Sequence, residues 1–337
     1  MDYTADDGDI MAQIPVGFTD VAHIHPATLR DAFTRLRFAD AYGKGGGWML
    51  LGGGVNGLKR CPPSEDGSHI PNSSGDESVG VNFTTSGING VAVVTGASSG
   101  IGRSIAEELV KKGLQVVGLA RRLDRLEELR DEVQGAPGKF HPIKCDITSE
   151  EDILAAFEWT KEHLNGVDIL VNNAGVGTIQ TLIENTTSEL RKILDVNVLG
   201  LSICTREAVK SMRERGIDDG HIIHINSVAG HCYSDFPSIH FYSGSKHAVT
   251  VLTEGLRREL VQLNSHIRVT SISPGVVDTE IFEVIDPVNG KVSKEQLLRN
   301  NPFLNSKDIT DAVLYTLGTP PHVQVHEIII RPVGEKF

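Results

Sequence analysis

From Ile88 onward, short runs rich in β-branched residues alternate with segments whose apolar residues recur at helical spacing. Seven such runs occur: "GVAVVTG", "LQVVGLA", "FHPIKCDI", "VDILVNN", "HIIHINS", "IRVTSISPG" and "HEIIIRP". Between them, Ile101, Ile105 and Leu109, and later Ile153, Phe157 and Leu164, share a face of a helix. Strands that run parallel must be joined by crossovers, usually helices, so this alternation predicts a doubly wound α/β fold with a seven-stranded parallel sheet. The predicted domain spans residues 88–337.

The first 87 residues read differently. They hold 14 of the chain's 35 glycines, together with acidic residues and the stretch "CPPSEDGSHIPNSSGDES". Such a segment buries too little apolar surface to offset its ordering entropy, so a mostly disordered leader is expected, with a short helix at residues 26–41. "GGGVNG", Gly52 to Gly57, fits a phosphate-binding pattern, yet Pro62 and Pro63 follow and leave no room for the helix such a loop requires.

The whole chain carries 32 Lys and Arg against 44 Asp and Glu, a formal net charge of -12. That balance works against nucleic acid and anionic lipid as partners and favours a small molecule. No apolar run reaches the roughly 18 to 20 residues of a membrane span. The four cysteines form neither a CxxC pair nor a Cys/His cluster, so no metal site is predicted. The acidic start "MDYTADDGDI" lacks the basic residues of a targeting signal, and a cytoplasmic location is expected.

Directly after the first run comes "TGASSGIGRSIAEEL", with Gly96, Gly100 and Gly102 opening into a helix. Glycine permits the tight turn and the close backbone approach, and the helix N-terminus offers N–H groups and a positive dipole end to a pyrophosphate. Gly96, Ser98, Ser99, Gly100, Ile101 and Gly102 are therefore the predicted dinucleotide contacts of a Rossmann-type fold. An NAD site would place Asp or Glu at the end of the second strand; here "GLARRLDRLEEL" puts Ala120 there, followed by Arg121 and Arg122. A guanidinium at this point pairs with a 2'-phosphate, which predicts NADP. The alternative is a basic, solvated start to the next helix. Asp146 and Ile147, ending the third strand, are candidates for the adenine pocket.

Two further groups of residues carry chemistry. Tyr242 and Lys246 in "YSGSK" stand four apart, which puts both on one helical face, and Ser227 lies upstream in "NSVAG". Free tyrosine has a pKa near 10, and a neighbouring ammonium is expected to lower it by roughly 1 to 3 units, towards a usable base. Together "TGASSGIG", "NNAG" at Asn172 to Gly175, "NVLG" after Val196, "NSVAG" and Y-x-x-x-K resemble the short-chain dehydrogenase/reductases over about residues 88–337. The wording is closest to the branch holding the farnesol dehydrogenases.

What the resemblance implies is specific. Tyr242 becomes the general acid/base, Ser227 the hydroxyl that orients the substrate, Lys246 the electrostatic partner that also reaches the nicotinamide ribose, and Asn197 the anchor of a proton-relay water. Asn173, Ala174 and Gly175 join the cofactor contacts, as do Pro274, Gly275, Val277 and Thr279 of "SPGVVDTEIF". Phe282, Val284 and Ile285 in the variable segment that follows are candidates either for an apolar substrate pocket or for the core. The implied activity interconverts an alcohol and a carbonyl on a hydrophobic substrate, an isoprenoid alcohol such as farnesol or a ketosteroid, in a homo-oligomer. Two other readings use the same residues: a 3-oxoacyl reductase, and a catalytically silent NADP-binding sensor. The 87-residue leader has no counterpart in the family pattern.

Overall fold

A computed structural model describes residues 90–178, 180–233, 239–281 and 302–336. The expectations for the leader, its helix and its glycine-rich hexapeptide lie outside these residues, as do those for Phe282, Val284 and Ile285.

All seven predicted strands form: β1 (Val91–Thr95), β2 (Gln115–Ala120), β3 (Lys139–Lys144), β4 (Ile169–Asn172), β5 (His221–Ile225), β6 (Arg268–Pro274) and β7 (Glu327–Ile330). They pair in the order β3-β2-β1-β4-β5-β6-β7, and every pair is parallel. The helices are α1 (Gly100–Lys111), α2 (Leu123–Glu132), α3 (Glu150–Leu164), α4 (Thr187–Leu194), α5 (Leu201–Glu214), α6 (His240–Gln262) and α7 (Ser306–Leu317).

Both faces of the sheet are covered, which explains why the central strands read as near-continuous apolar runs. Successive strand residues point to opposite faces. Val94, Val116, Val171 and Ile272 pack with Ile105 and Leu109 of α1, Leu126 of α2 and Val313 of α7. Val93, Val117, Leu170 and Val269 pack instead with Ile153 and Phe157 of α3, Met212 of α5 and Leu260 of α6.

Local chemistry sets the helix ends. Ser149 caps α3 by accepting from the Asp152 N–H, and Glu150, Glu151 and Asp152 complement the dipole in its first turn. Asn165 then adopts a left-handed φ of 65°, and Gly166 donates back to the Thr160 carbonyl, closing the helix. A buried carboxylate ties β4 to its surroundings: Asp168 accepts from the Val91 N–H at 2.8 Å and from Arg215 at 2.6 Å.

The strand order has a functional consequence. From β1 the chain winds outward through β2 and β3, then returns to the other side of β1 for β4 through β7. The crevice outside the carboxyl ends of β1 and β4 is therefore the topological switch point, where open α/β sheets bind ligands.

Candidate active site

At the mouth of that crevice, β1 leads into α1 through the glycine-rich turn. Gly96 and Gly100 have φ of 69° and 54°, left-handed conformations that glycine adopts without strain. A Cβ on Gly102 would lie 2.3 Å from Asn173 Nδ2 and 2.5 Å from the Gly96 carbonyl oxygen. Only hydrogen fits there, so the turn can press against the end of β4. The contact is then bonded: Thr95 Oγ1 accepts from the N–H groups of Asn173 and Ala174, both at 3.0 Å, while Asn173 Nδ2 donates to the Thr95 carbonyl at 2.9 Å.

The start of α1 is left open. Ser99 stands at its N-cap position without a capping hydrogen bond, and its first turn has no acidic residue. Ser149 and Thr186, by contrast, do cap α3 and α4. The leading N–H groups and positive dipole end of α1 are thus available to an anion, the requirement of a pyrophosphate.

The expected 2'-position contacts separate on the surface. Ala120 ends β2 almost fully buried. Arg121 is exposed, with neither hydrogen bond nor ion pair among the described residues, and its charge helps to hold Asp146 ionised. Arg122 folds over the turn, donating to Ser99 Oγ at 2.9 Å, Ser98 Oγ at 3.1 Å and Glu280 Oε2 at 2.8 Å. Burial works to raise the Asp146 carboxyl, yet it sits below the ordinary range because the Thr148 N–H and hydroxyl both donate to it. Ile147 is seated against Gly200, where a Cβ would come within 2.5 Å of the Ile147 carbonyl oxygen.

The residues expected to move protons gather across the crevice. Ser227 follows β5 and begins the short turn Val228–Gly230, its Oγ accepting from the Ala229 N–H at 3.1 Å. The same side chain hydrogen-bonds Tyr242, which lies in the first turn of α6. One turn on, Lys246 is buried; its Nζ donates to the Ile225 carbonyl at 2.9 Å and lies 5.8 Å from the centroid of the Tyr242 ring. A side chain at Gly175 would enter the space in front of both Lys246 Nζ, 3.9 Å away, and Asn197 Oδ1, 3.7 Å away. The bare glycine keeps that space open.

One detail departs from expectation. Burial pushes Tyr242 up to about 12, although the Ser227 hydrogen bond works the other way, and burial lowers Lys246 to about 8. The anticipated lowering of the tyrosine by the ammonium is absent: desolvation disfavours the charged form of each group, and Lys246 makes no contribution to the Tyr242 shift. The Asn197 side chain, in a π-helical turn at Asp195–Gly200, is committed to protein: Nδ2 donates to the Val176 carbonyl and Ser245 Oγ, and Oδ1 accepts from the Val176 N–H. Ser245 donates in turn to the Tyr242 carbonyl at 2.7 Å, so Asn197 ties the loop after β4 to the helix bearing Tyr242.

Pro274 ends β6, and the segment after it is held by a distant carboxylate. A Cβ on Gly275 would meet Glu335 Oε1 at 2.3 Å, and the Val276 N–H donates to that oxygen at 2.8 Å. Val277 bridges to Leu304, and Thr279 arrives beside Gly100, its Cγ2 3.1 Å from where a Cβ would stand. Sequence reasoning passed over Thr95, Ser245, Glu280 and Glu335. Glu280 stands within "SPGVVDTEIF", but its partners lie more than 150 residues away.

Comparison with known proteins agrees with this geometry. The short chain dehydrogenase family profile matches residues 90–289. The chain is 50% identical over 250 residues to a protein named farnesol dehydrogenase from Aedes aegypti, covering 73% of this chain and 97% of that one. It is 49% identical over 248 residues to dehydrogenase/reductase SDR family member 11 of Mus musculus, covering 73% of this chain and 95% of the relative. Among solved structures, the closed form of serine dehydrogenase complexed with NADP+ superposes with a TM-score of 0.67 at 29% identity, covering 73% of this chain and 96% of that one. The chain is an oxidoreductase acting on CH–OH groups, and it belongs to the short-chain dehydrogenase family.

Proposed function

We propose that this protein uses NADP to interconvert an alcohol and a carbonyl on a hydrophobic substrate, with an isoprenoid alcohol such as farnesol as the first candidate. The observation that carries the reading is the Ser227–Tyr242 hydrogen bond beside buried Lys246, at the end of a crevice whose glycine-rich turn is open to an anion. The Aedes aegypti relative supports the substrate class, and the NADP+ complex of serine dehydrogenase supports the cofactor.

The residues present fit a nicotinamide dinucleotide. Ser98, Ser99, Gly100, Ile101 and the N–H groups of α1 would hold its phosphates, Arg121 and Arg122 its 2'-phosphate, Asp146 and Ile147 its adenine. Asn173, Ala174, Gly175, Pro274, Gly275, Val277, Thr279 and Lys246 would hold the nicotinamide half. The group supplies hydride exchange at the nicotinamide ring when bound.

The chain's own residues handle the proton. In the oxidative direction Tyr242 removes it from the alcohol oxygen, and in reduction Tyr242 returns it. Ser227 donates to that same oxygen, where negative charge develops. Lys246, next to the phenol, stabilises its ionised form whenever the lysine is protonated. Asn197 is assigned as the anchor of a relay water behind Lys246.

The reading includes a homo-oligomer, supported by apolar side chains that stand exposed near the site: Leu194 and Leu199 beside Asn197, and Val251 and Leu252 on α6. It keeps the expected cytoplasmic location; among the described residues no helix is long and apolar enough to cross a membrane.

The test is a substrate screen followed by NADPH absorbance, with isoprenoid alcohols, steroids and acyl thioesters. Turnover of farnesol with NADP+ is expected. Reduction of an acyl thioester alone would favour the 3-oxoacyl reductase, and NADPH binding without turnover of any substrate would favour the silent sensor.

A further inference from the structure

The ion pair between Arg122 and Glu280 crosses the cofactor crevice. Arg122 follows β2, one strand to one side of β1, whereas Glu280 follows β6, three strands to the other side. Both carboxylate oxygens of Glu280 are engaged: Oε2 accepts from Arg122 at 2.8 Å and Oε1 from Arg125 at 2.5 Å. The remaining donors of Arg122 reach Ser98 and Ser99, the two hydroxyls of the glycine-rich turn. The guanidinium nearest that turn is therefore already neutralised, and the neutralising group comes from the opposite half of the site.

We propose that Glu280 is a specificity-determining residue that weakens binding of a 2'-phosphate by competing with it for Arg122 and Arg125. The inference rests on the NADP reading and deepens it. A phosphate arriving at Arg122 meets a carboxylate on the same guanidinium. Two anions cannot share those donors without repulsion, so the phosphate must displace Glu280. A 2'-hydroxyl brings no such conflict, because a hydroxyl can donate to the carboxylate. Arg121 offers a phosphate a guanidinium that makes no hydrogen bond or ion pair among the described residues, and Glu280 offsets part of the advantage that the arginines confer. The sequence at the end of β2, lacking an acidic residue, points towards NADP; the carboxylate supplied from beyond β6 tempers that choice.

The experiment measures binding to the full chain by calorimetry, with adenosine 2',5'-bisphosphate and adenosine 5'-monophosphate as probes, in wild type, Glu280→Gln and Glu280→Ala. Both variants should bind the bisphosphate tighter by roughly three- to tenfold, less than a full charge-assisted bond because Glu280 is one-third exposed, with the monophosphate unchanged. A thermal melt confirms that each variant is folded. If wild type prefers the bisphosphate and neither variant strengthens that preference, the role of Glu280 is overturned and the cofactor reading survives. If no form of the protein distinguishes the two probes, the cofactor reading falls and the inference falls with it. A parallel rise for both probes means that removing the pair merely loosens the crevice, which also overturns the proposal.

Discussion

The Lys246 ammonium donates to the Ile225 carbonyl at 2.9 Å, at the carboxyl end of β5, and this bond sits in a setting that disfavours charge. Burial brings Lys246 down from 10.5 to about 8. Between these values the unfolded chain still holds the proton that the folded protein has lost, so the contribution of Lys246 to stability rises with pH across that window. Buried thiols oppose this: Cys145 is pushed up to about 12 and Cys204 is raised as well, so the folded state retains protons that the unfolded chain releases above pH 9. Tyr242 acts in the same sense above pH 10. The difference between wild type and Lys246→Met isolates the lysine. Denaturant melts should show wild type gaining about 2 kcal/mol on the variant between pH 7 and pH 10. A pH-independent difference would contradict the lowered lysine.

Gly102 leaves no room for a side chain. Replacing it with alanine puts a methyl group within 2.5 Å of both Asn173 Nδ2 and the Gly96 carbonyl oxygen, and neither atom belongs to a long, flexible side chain. Gly102→Ala should cost about 1 to 3 kcal/mol of stability and weaken dinucleotide binding as the turn shifts. Thermal melts with and without NADPH check this. Unchanged affinity would mean that the turn does not hold the cofactor.

Much of this arrangement was legible in the sequence, and the reason is physical. A parallel sheet covered on both faces writes itself as apolar runs, so "VAVVT" and "HIIHI" announce strands, and a turn needing left-handed backbone and close approach writes itself as Gly96, Gly100 and Gly102. Tyr242 and Lys246 are linked by helical periodicity. Glu335 and Glu280 were not legible, because each acts through groups that only the folded sheet brings near. The upward shift of Tyr242 was hidden for the same reason: four-residue spacing reports proximity, whereas burial is set by everything packed around α6.

The proposed preference for NADP turns on the end of β2. With Ala120 in place of a carboxylate and Arg121 free of hydrogen bonds and ion pairs among the described residues, a charge-assisted bond to the 2'-phosphate would contribute on the order of 1.5 to 3 kcal/mol, an expected preference for NADP(H) of roughly 10- to 150-fold before any opposition from Glu280. Changing Ala120→Asp and Arg121→Leu together should reverse it, since the new carboxylate accepts from the ribose hydroxyls of NAD and repels the phosphate of NADP. The ratio of kcat/KM for the two cofactors, in both proteins, is the readout. An unchanged ratio would make Arg121 a solvated helix residue.

The central claim is that Tyr242, aimed by Ser227, carries the proton. Tyr242→Phe keeps the ring and its packing while removing the ionisable hydroxyl. The most direct measurement is the single-turnover rate of alcohol oxidation in this variant, beside its affinity for NADP+ by calorimetry. The account predicts a rate lower by roughly 10² to 10⁴, the contribution of a positioned acid/base, with cofactor affinity within about threefold of wild type. A near-normal rate with intact cofactor binding would contradict it.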